Sequence, residues 1–467
     1  MINNRRSFIK LSSSAAAWLG LSSLAGADGY HRDDVEEKLN KSSLERPANQ
    51  KSVINLRKSP LDKVKVAMLG VGNRGTGHAR LVNALYPDKA VITAVCDIRE
   101  TQVNKTLDNL KSSGQNPDVY TGDEDGWMQM CQRDDVDLVV ICTPWKMHVP
   151  MAVYAMQQGK HVVIEVPASL TLQGCWDLVN TAEEMQVNCM MLENVCYGAE
   201  ELWVLNMVQN GVFGTLTYGE GAYIHNLRDS LFGDEKYYND WRIRQHIEQD
   251  GNLYPTHGLG PVAQYMDINR GDRFDYLVSM SSPPSSLVEH SRAIEKDNEF
   301  YDRTDFAHGD MNNSLIKTAL GRTILMQHDV VTPRPYSRIN AVAGTKGYHE
   351  GYPSRLAIQG KGHEWLDEAT TKEYQDKYKH PIWETLKEGI EKNGGHGGMD
   401  FVQMYRVVDC LNKGYPLDMD VYDAAAWSSI VDLSKISTEL GSVPVKCPDF
   451  TRGDWENKRK LGIFEFI

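Results

Sequence analysis

The residues with the plainest chemical reading are Gly70, Gly72 and Gly75, spaced G-x-G-x-x-G around Asn73 and Arg74, with Asp97 about 20 residues further on. Glycines at this spacing allow a tight turn and let the backbone approach a pyrophosphate. They also bring a helix close to the strand before it, so that the first amides of the helix face the anion. Asp97 closes a second apolar run, where a carboxylate accepts from a ribose 2′-hydroxyl and repels a 2′-phosphate. The set reads as a site for NAD rather than NADP.

Such residues need elements to carry them. Val64 to Leu69 is a short, β-branched apolar run suited to a buried parallel strand; Thr76 to Leu85 reads as a helix and Val91 to Cys96 as the next strand. The alternation continues through helix 101–113, strand 118–120, helix 125–133, strand 138–142, a helix to Gln158, strand 161–164, helix 171–185 and strand 187–192. This order predicts a doubly wound parallel sheet. Ligands of open α/β sheets bind at the carboxyl ends of the strands, which gathers Asn73, Arg74, Asp97, Trp145, His148, Glu165 and Asn194 on one edge, with Val166 beside Glu165.

Past Asn194 the pattern changes. A helix over 200–210 precedes an alternating segment, 215–225. Strands at 276–281, 313–318, 323–328 and 337–343, joined by turns such as 319–322, suggest a largely antiparallel, open sheet. Helices over 399–411 and 421–440 are expected to pack back on the first domain. The fold class is therefore α/β, a Rossmann domain over 61–194 followed by an α/β domain over 195–467.

The chain of 467 residues carries a net charge of −13, with 41% hydrophobic and 24% charged residues. That balance argues for a soluble enzyme and against nucleic acid or an anionic membrane as partner. The eight cysteines form no C-x-x-C pair, and Cys96, Cys142 and Cys189 fall in strands, so they read as buried thiols without a disulfide framework or metal site. At the N-terminus, Asn4-Arg5-Arg6-Ser7-Phe8-Ile9-Lys10, a serine-rich apolar stretch and Ala25-Gly26-Ala27 resemble a twin-arginine signal over 1–27, which implies export, folded, to the periplasm or beyond. The stretch is too short to span a bilayer. Residues 28–60 are polar and read as a linker or surface arm.

A Rossmann half with Thr143-Pro144-x-x-x-His148 after one strand and acid-x-Pro after the next, joined to an open-sheet half, resembles the Gfo/Idh/MocA oxidoreductase superfamily. Those enzymes usually carry Glu-Lys-Pro, and here the triplet is Glu165-Val166-Pro167. In place of their second-domain motif stand Trp241-Arg242, Tyr254-Pro255-Thr256-His257-Gly258, Thr332-Pro333-Arg334-Pro335-Tyr336 and His396-Gly397-Gly398-Met399-Asp400. With these the chain is similar to glycoside hydrolase family 109, the NAD-dependent α-N-acetylgalactosaminidases. The resemblance implies a glycan substrate with a terminal amino sugar. NAD would be retained while C3 is oxidised, the aglycone eliminated across C2 and C1, water added, and C3 reduced again.

With valine at the lysine position, tyrosine or histidine must move the protons. Tyr223 is the first candidate, its phenol needing a cation such as Arg242 to lower its pKa from near 10; a tyrosine on a strand can equally be packing. His257 is a second, read alternatively as a helix cap or core histidine, and Tyr254, three residues before it, would share its side. Tyr336 sits in a proline-stiffened loop, over a sugar or merely exposed. His148 either faces nicotinamide or sugar or caps a helix; Trp145 faces the ligand edge or only packs; Asn194 bonds cofactor or substrate or ends a strand. Two other readings stay open: a sugar or cyclitol dehydrogenase, which the missing lysine disfavours, and a cofactor-bearing sugar-binding protein without turnover. An exposed antiparallel sheet would suit a homo-oligomer.

Overall fold

The computed structural model describes residues 45–233 and 236–465. The expected signal and residues 28–44 of the expected arm lie outside them. Six parallel strands form the first sheet in the order β3-β2-β1-β4-β5-β6: β1 (Val64–Leu69), β2 (Ala90–Cys96), β3 (Asp118–Tyr120), β4 (Leu138–Ile141), β5 (His161–Ile164) and β6 (Cys189–Met191). Helices α1 (Asn73–Asn83), α2 (Glu100–Leu110), α3 (Gly126–Cys131), α4 (His148–Gln157) and α5 (Leu172–Met185) make the crossovers. The central strands β4 and β5 are buried throughout because helices cover both faces, which is why they read as unbroken apolar runs.

After α6 (Ala199–Gln209) the second sheet begins with β7 (Leu216–Ile224), then come α7 (Trp241–Glu248) and α8 (Thr256–Tyr265). The remaining strands are β8 (Phe274–Ser281), β9 (Asn312–Thr318), β10 (Thr323–Asp329), β11 (Ala341–Gly344), β12 (Gly347–Glu350), β13 (Arg355–Ile358) and β14 (Val445–Lys446). Their order is β13-β12-β11-β7-β10-β9-β8-β14. Only the β7–β10 pair is parallel, so the sheet is mixed and largely antiparallel.

One expected strand is corrected. Ser337 makes only an isolated bridge to Ile224, and Ile339 and Asn340 take left-handed φ values of 60° and 46°, so regular pairing starts at Ala341 rather than Ser337. The β12–β13 hairpin and α7 have no counterpart in the sequence reading.

Between β13 and β14 the chain is helical, and its two longest helices there are α9 (Met399–Lys413) and α10 (Val421–Glu439). Helix α10 starts from a capping box made by Asp420 and Asp423 and is buried on nearly every side. Its serines and Asp432 bond both halves of the molecule: Asp432 accepts from Leu172 N at 2.8 Å, Ser428 Oγ from Ala168 N at 3.1 Å, and Ser437 Oγ from Ser279 N at 2.8 Å. A helix tied to both sheets fixes the cleft between them. On the far side of the second sheet Tyr276, Met280 and Leu315 stay exposed.

Candidate active site

The turn after β1 is built as its glycines require. Gly70 holds φ +81°, and a Cβ on Gly75 would fall 1.8 Å from the Gly70 carbonyl oxygen, so neither position admits a side chain. Helix α1 begins without a side-chain cap, leaving its first amides open to the cleft. Asp97 accepts from Val71 N and Arg99 N, both at 2.9 Å, which fixes its carboxylate beside the turn. A Cβ-free cradle, uncapped amides and a positioned acid fit a dinucleotide with a free 2′-hydroxyl.

A cleft of about 840 Å³ runs from this turn to the second sheet, and Asn73, Arg74, Asp97, Trp145, His148, Glu165, Val166 and Asn194 all line it. Arg74 joins three of its walls. Its guanidinium pairs with Glu165 at 2.8 Å and with Asp400 of α9 at 3.0 Å. His78 donates to Glu165 at 2.6 Å and His396 to Asp400 at 2.7 Å. Burial alone would raise both carboxyls, but Arg74 and the histidine hydrogen bonds outweigh it and hold both well below the ordinary carboxylate range.

Two of the expected ligand contacts also have partners within the protein. His148 is fully buried, with Nδ1 2.8 Å from the Pro167 carbonyl and Nε2 2.8 Å from that of Thr143. It ties two strand-end loops together and has no nitrogen left for nicotinamide or sugar. The Asn194 amide donates to Asp400 Oδ1 at 2.6 Å, so its nitrogen supports the ion-pair cluster.

On the other wall, α8 lies directly on β7. A Cβ at Gly221 would be 2.5 Å from the Gly258 carbonyl oxygen, so only paired glycines permit this approach. The contact brings His257, on the first turn of α8, to 5.5 Å from the Tyr223 ring. His257 Nδ1 donates to the carboxylate of Glu193, at 2.7 Å and 3.0 Å to its two oxygens, and Glu193 is 0% exposed. That bond leaves Nε2 as the free nitrogen, 3.5 Å from the Tyr254 hydroxyl. Tyr254 in turn stacks 4.4 Å from Tyr223.

Arg242, 6% exposed, sits inside an aromatic cage: its guanidinium lies 5.1 Å from Trp145, 5.1 Å from Tyr254, 5.3 Å from Tyr237 and 6.0 Å from Tyr223. Nη1 donates to Tyr237 at 3.1 Å; among the described residues Nε and Nη2 meet no well-formed acceptor and no carboxylate pairs with the group. A buried cation with open donors suits a substrate oxygen. Burial pushes the Tyr223 phenol up to about 12 against the pull of Arg242. Arg242 thus supplies the cation that a lowered phenol pKa would need, but desolvation is the larger effect. Tyr336 stands outside the cage, 6.3 Å from Tyr223, and accepts from Arg338 at 3.3 Å.

Glu193 and Asp400 are the groups absent from the sequence-derived site. Asp400 carried a signal in the string that begins at His396; Glu193 carried none beyond its place at a strand end.

The fold and the cleft define a class: a Rossmann half that binds a dinucleotide, faced by an open-sheet half presenting tyrosine, histidine and arginine. Residues 64–193 match the oxidoreductase family, NAD-binding Rossmann fold, and residues 197–457 match the glycosyl hydrolase 109, C-terminal domain. The chain belongs to glycosyl hydrolase family 109. It is 46% identical over 467 residues to a glycosyl hydrolase family 109 protein of Shewanella putrefaciens, covering 98% of each chain. It is 44% identical over 468 residues to an alpha-N-acetylgalactosaminidase of Shewanella oneidensis, again over 98% of each. Among solved structures it is similar in fold to levoglucosan dehydrogenase in complex with NADH, with a TM-score of 0.64 and 15% identity over 83% of this chain and 100% of that one. An NAD binding oxidoreductase from Klebsiella pneumoniae has a TM-score of 0.62 at 16% identity, over 83% and 99%.

Proposed function

We propose that the protein hydrolyses terminal α-N-acetylgalactosaminides. The observation that carries this is the Glu193–His257 pair, which aims a free imidazole nitrogen into a cleft whose opposite wall has Val166 where a dehydrogenase of this fold would place lysine. Bound NAD would supply reversible oxidation at the sugar C3, whose hydroxyl proton passes to solvent and returns at re-reduction, with no net redox change. Once C3 is a ketone the C2 proton is acidic, and His257 Nε2 removes it while the C1 aglycone departs. Tyr223, neutral at pH 7, donates a proton to the departing oxygen, and Arg242 directs its open donors at the oxygen of the enolate. Water then adds at C1, passing its proton to the Tyr223 phenolate, and His257 returns a proton to C2.

The test is p-nitrophenyl α-N-acetylgalactosaminide with purified protein and no added cofactor. Nitrophenol release is expected, and product formed in heavy water should carry deuterium at C2 with the original hydrogen at C3. Accumulation of NADH in proportion to sugar consumed would establish a dehydrogenase instead, and binding without turnover a sugar-binding protein.

The arginine pair and small-residue site near the N-terminus support export by the twin-arginine route to the periplasm; Arg5→Lys with Arg6→Lys should trap the protein in the cytoplasm. The exposed apolar residues Tyr276, Met280 and Leu315 support self-association through the second sheet. Light scattering should then give at least twice the chain mass, and Leu315→Lys should lower it.

A further inference from the structure

We infer that a strap from the second half of the chain clamps the dinucleotide against the first half and sets the rate at which it is released. The strap is the stretch from Lys236 to Asp240, immediately before α7. Two contacts tie it across the cleft to the cofactor turn. Asn73, at the first position of α1, donates from Nδ2 to the Lys236 carbonyl at 2.9 Å. Arg99, whose backbone and Nε both bond Asp97, lies 4.6 Å under the ring of Tyr238. The Arg99 guanidinium is itself over the glycine turn, since its Nη2 lies 3.0 Å from where a Cβ on Gly72 would stand.

The same strap is anchored at its other end. Tyr237 is buried and accepts from Arg242, inside the cage that faces the substrate, whereas the next side chain, Tyr238, is 37% exposed over the cofactor rim. Asn239 and Asp240 both hold left-handed φ, 53° and 51°, and Arg244 of α7 donates to the Asn239 carbonyl at 3.3 Å, fixing the turn that points these neighbours in opposite directions. Lys236, Tyr237 and Tyr238 line the same cleft as Gly72, Asp97 and Arg99. A dinucleotide on the turn therefore has to pass Tyr238 and the Asn73 bridge to leave. The clamp itself rests on this geometry; its use, keeping the oxidised and reduced cofactor in place between the two half-reactions, rests on the proposed cycle.

The experiment measures NAD release from holoenzyme as purified, with freed NAD reduced by alcohol dehydrogenase and ethanol and read at 340 nm. Tyr238→Ala should release NAD about fivefold faster than wild type, from loss of one exposed cation–π contact, and the double variant with Asn73→Ala about 20-fold or more faster. Tyr238→Phe keeps the ring and should release at the wild-type rate. Unchanged release in the double variant, or release from Tyr238→Phe as fast as from Tyr238→Ala, overturns the inference. Thermal unfolding of each variant with saturating NAD separates clamp loss from misfolding. A wild-type protein that retains NAD but liberates no nitrophenol would refute the proposed function and leave the clamp standing; a wild-type protein that hydrolyses substrate yet loses NAD as fast as the variants would do the reverse.

Discussion

Replacing Tyr223 by phenylalanine tests which protonation state the site uses. The phenol is 8% exposed and burial pushes its pKa up to about 12, with Arg242 pulling the other way. At pH 7 only about one molecule in 10⁵ would be phenolate, and forming it would cost about 7 kcal/mol, five pH units at about 1.4 kcal/mol each. That cost exceeds the roughly 3–5 kcal/mol (10²- to 10⁴-fold) that a general base contributes, so in the proposed cycle the tyrosine serves as a neutral donor and His257, held by Glu193, as the base. Tyr223→Phe removes the donor and keeps the ring that packs on Tyr254. Its kcat on a poor leaving group, such as a methyl glycoside, should fall by about 10²-fold or more, with KM within a few-fold, and the loss should shrink on nitrophenyl glycosides that leave without protonation. The assay is steady-state kinetics on both substrates between pH 6 and pH 10. A wild-type rate that climbs tenfold per pH unit above pH 7, and a climb that vanishes in Tyr223→Phe, would show phenolate to be the working form and refute the argument from burial.

Glu193→Gln should cost about 10²-fold or more in kcat, since an amide cannot hold His257 in the tautomer that frees Nε2; an unchanged rate would remove the pair from catalysis. Gly75→Ala forces a Cβ onto a backbone carbonyl and should lower stability by about 3 kcal/mol with loss of bound NAD, checked by thermal unfolding and cofactor content. Asp97→Ala should leave less NAD in purified protein and lower activity in step, with added NAD restoring part of it. Asp400 and Glu165 have folded-state pKa values below their unfolded ones, so the stability they contribute is complete above about pH 4 and is lost as pH falls through the folded values. Asp400→Asn should therefore lower Tm at pH 7 and flatten the fall of Tm between pH 5 and pH 3; an equally steep fall would place the acid sensitivity elsewhere.

The cofactor wall was legible in the sequence because its determinants are local. Strand, glycine turn and helix lie within about 20 residues, and position after a strand is enough to bring Asn73, Arg74, Asp97 and Glu165 to the cleft. The substrate wall was only partly legible. Arg242, Tyr254 and His257 were singled out through family strings, but the partner that gives His257 its direction is Glu193, 64 positions away in the chain and contributed by the other half. No periodicity links them. Ile339 and Asn340 broke an expected strand for a related reason: the Asn340 side chain donates to the Gly258 carbonyl at 3.0 Å, and that tertiary bond to α8 outweighs the β preference of the local residues.

The valine at position 166 makes sense once both walls are in view. A lysine there would stand next to Glu165, whose carboxylate already accepts from Arg74 and His78, and on the wall facing Arg242, which pairs with no carboxylate among the described residues. Val166 is buried, and its carbonyl accepts from Trp145 Nε1 at 3.0 Å, so the backbone of the triplet positions the indole that forms one side of the Arg242 cage. In the proposed cycle the cation that a dehydrogenase would carry on the Rossmann wall is carried on the opposite wall as a fixed guanidinium, and the proton transfer is separated from it and given to His257. Separating the two suits an elimination, which needs a base at C2 and a cation at the C3 oxygen at the same moment. Val166→Lys should accordingly fail to convert the protein into a dehydrogenase: the added ammonium would compete with Arg242 for the same oxygen, and nitrophenol release should drop without any rise in NADH formation. An increase in NADH would show that the missing lysine alone separates the two activities.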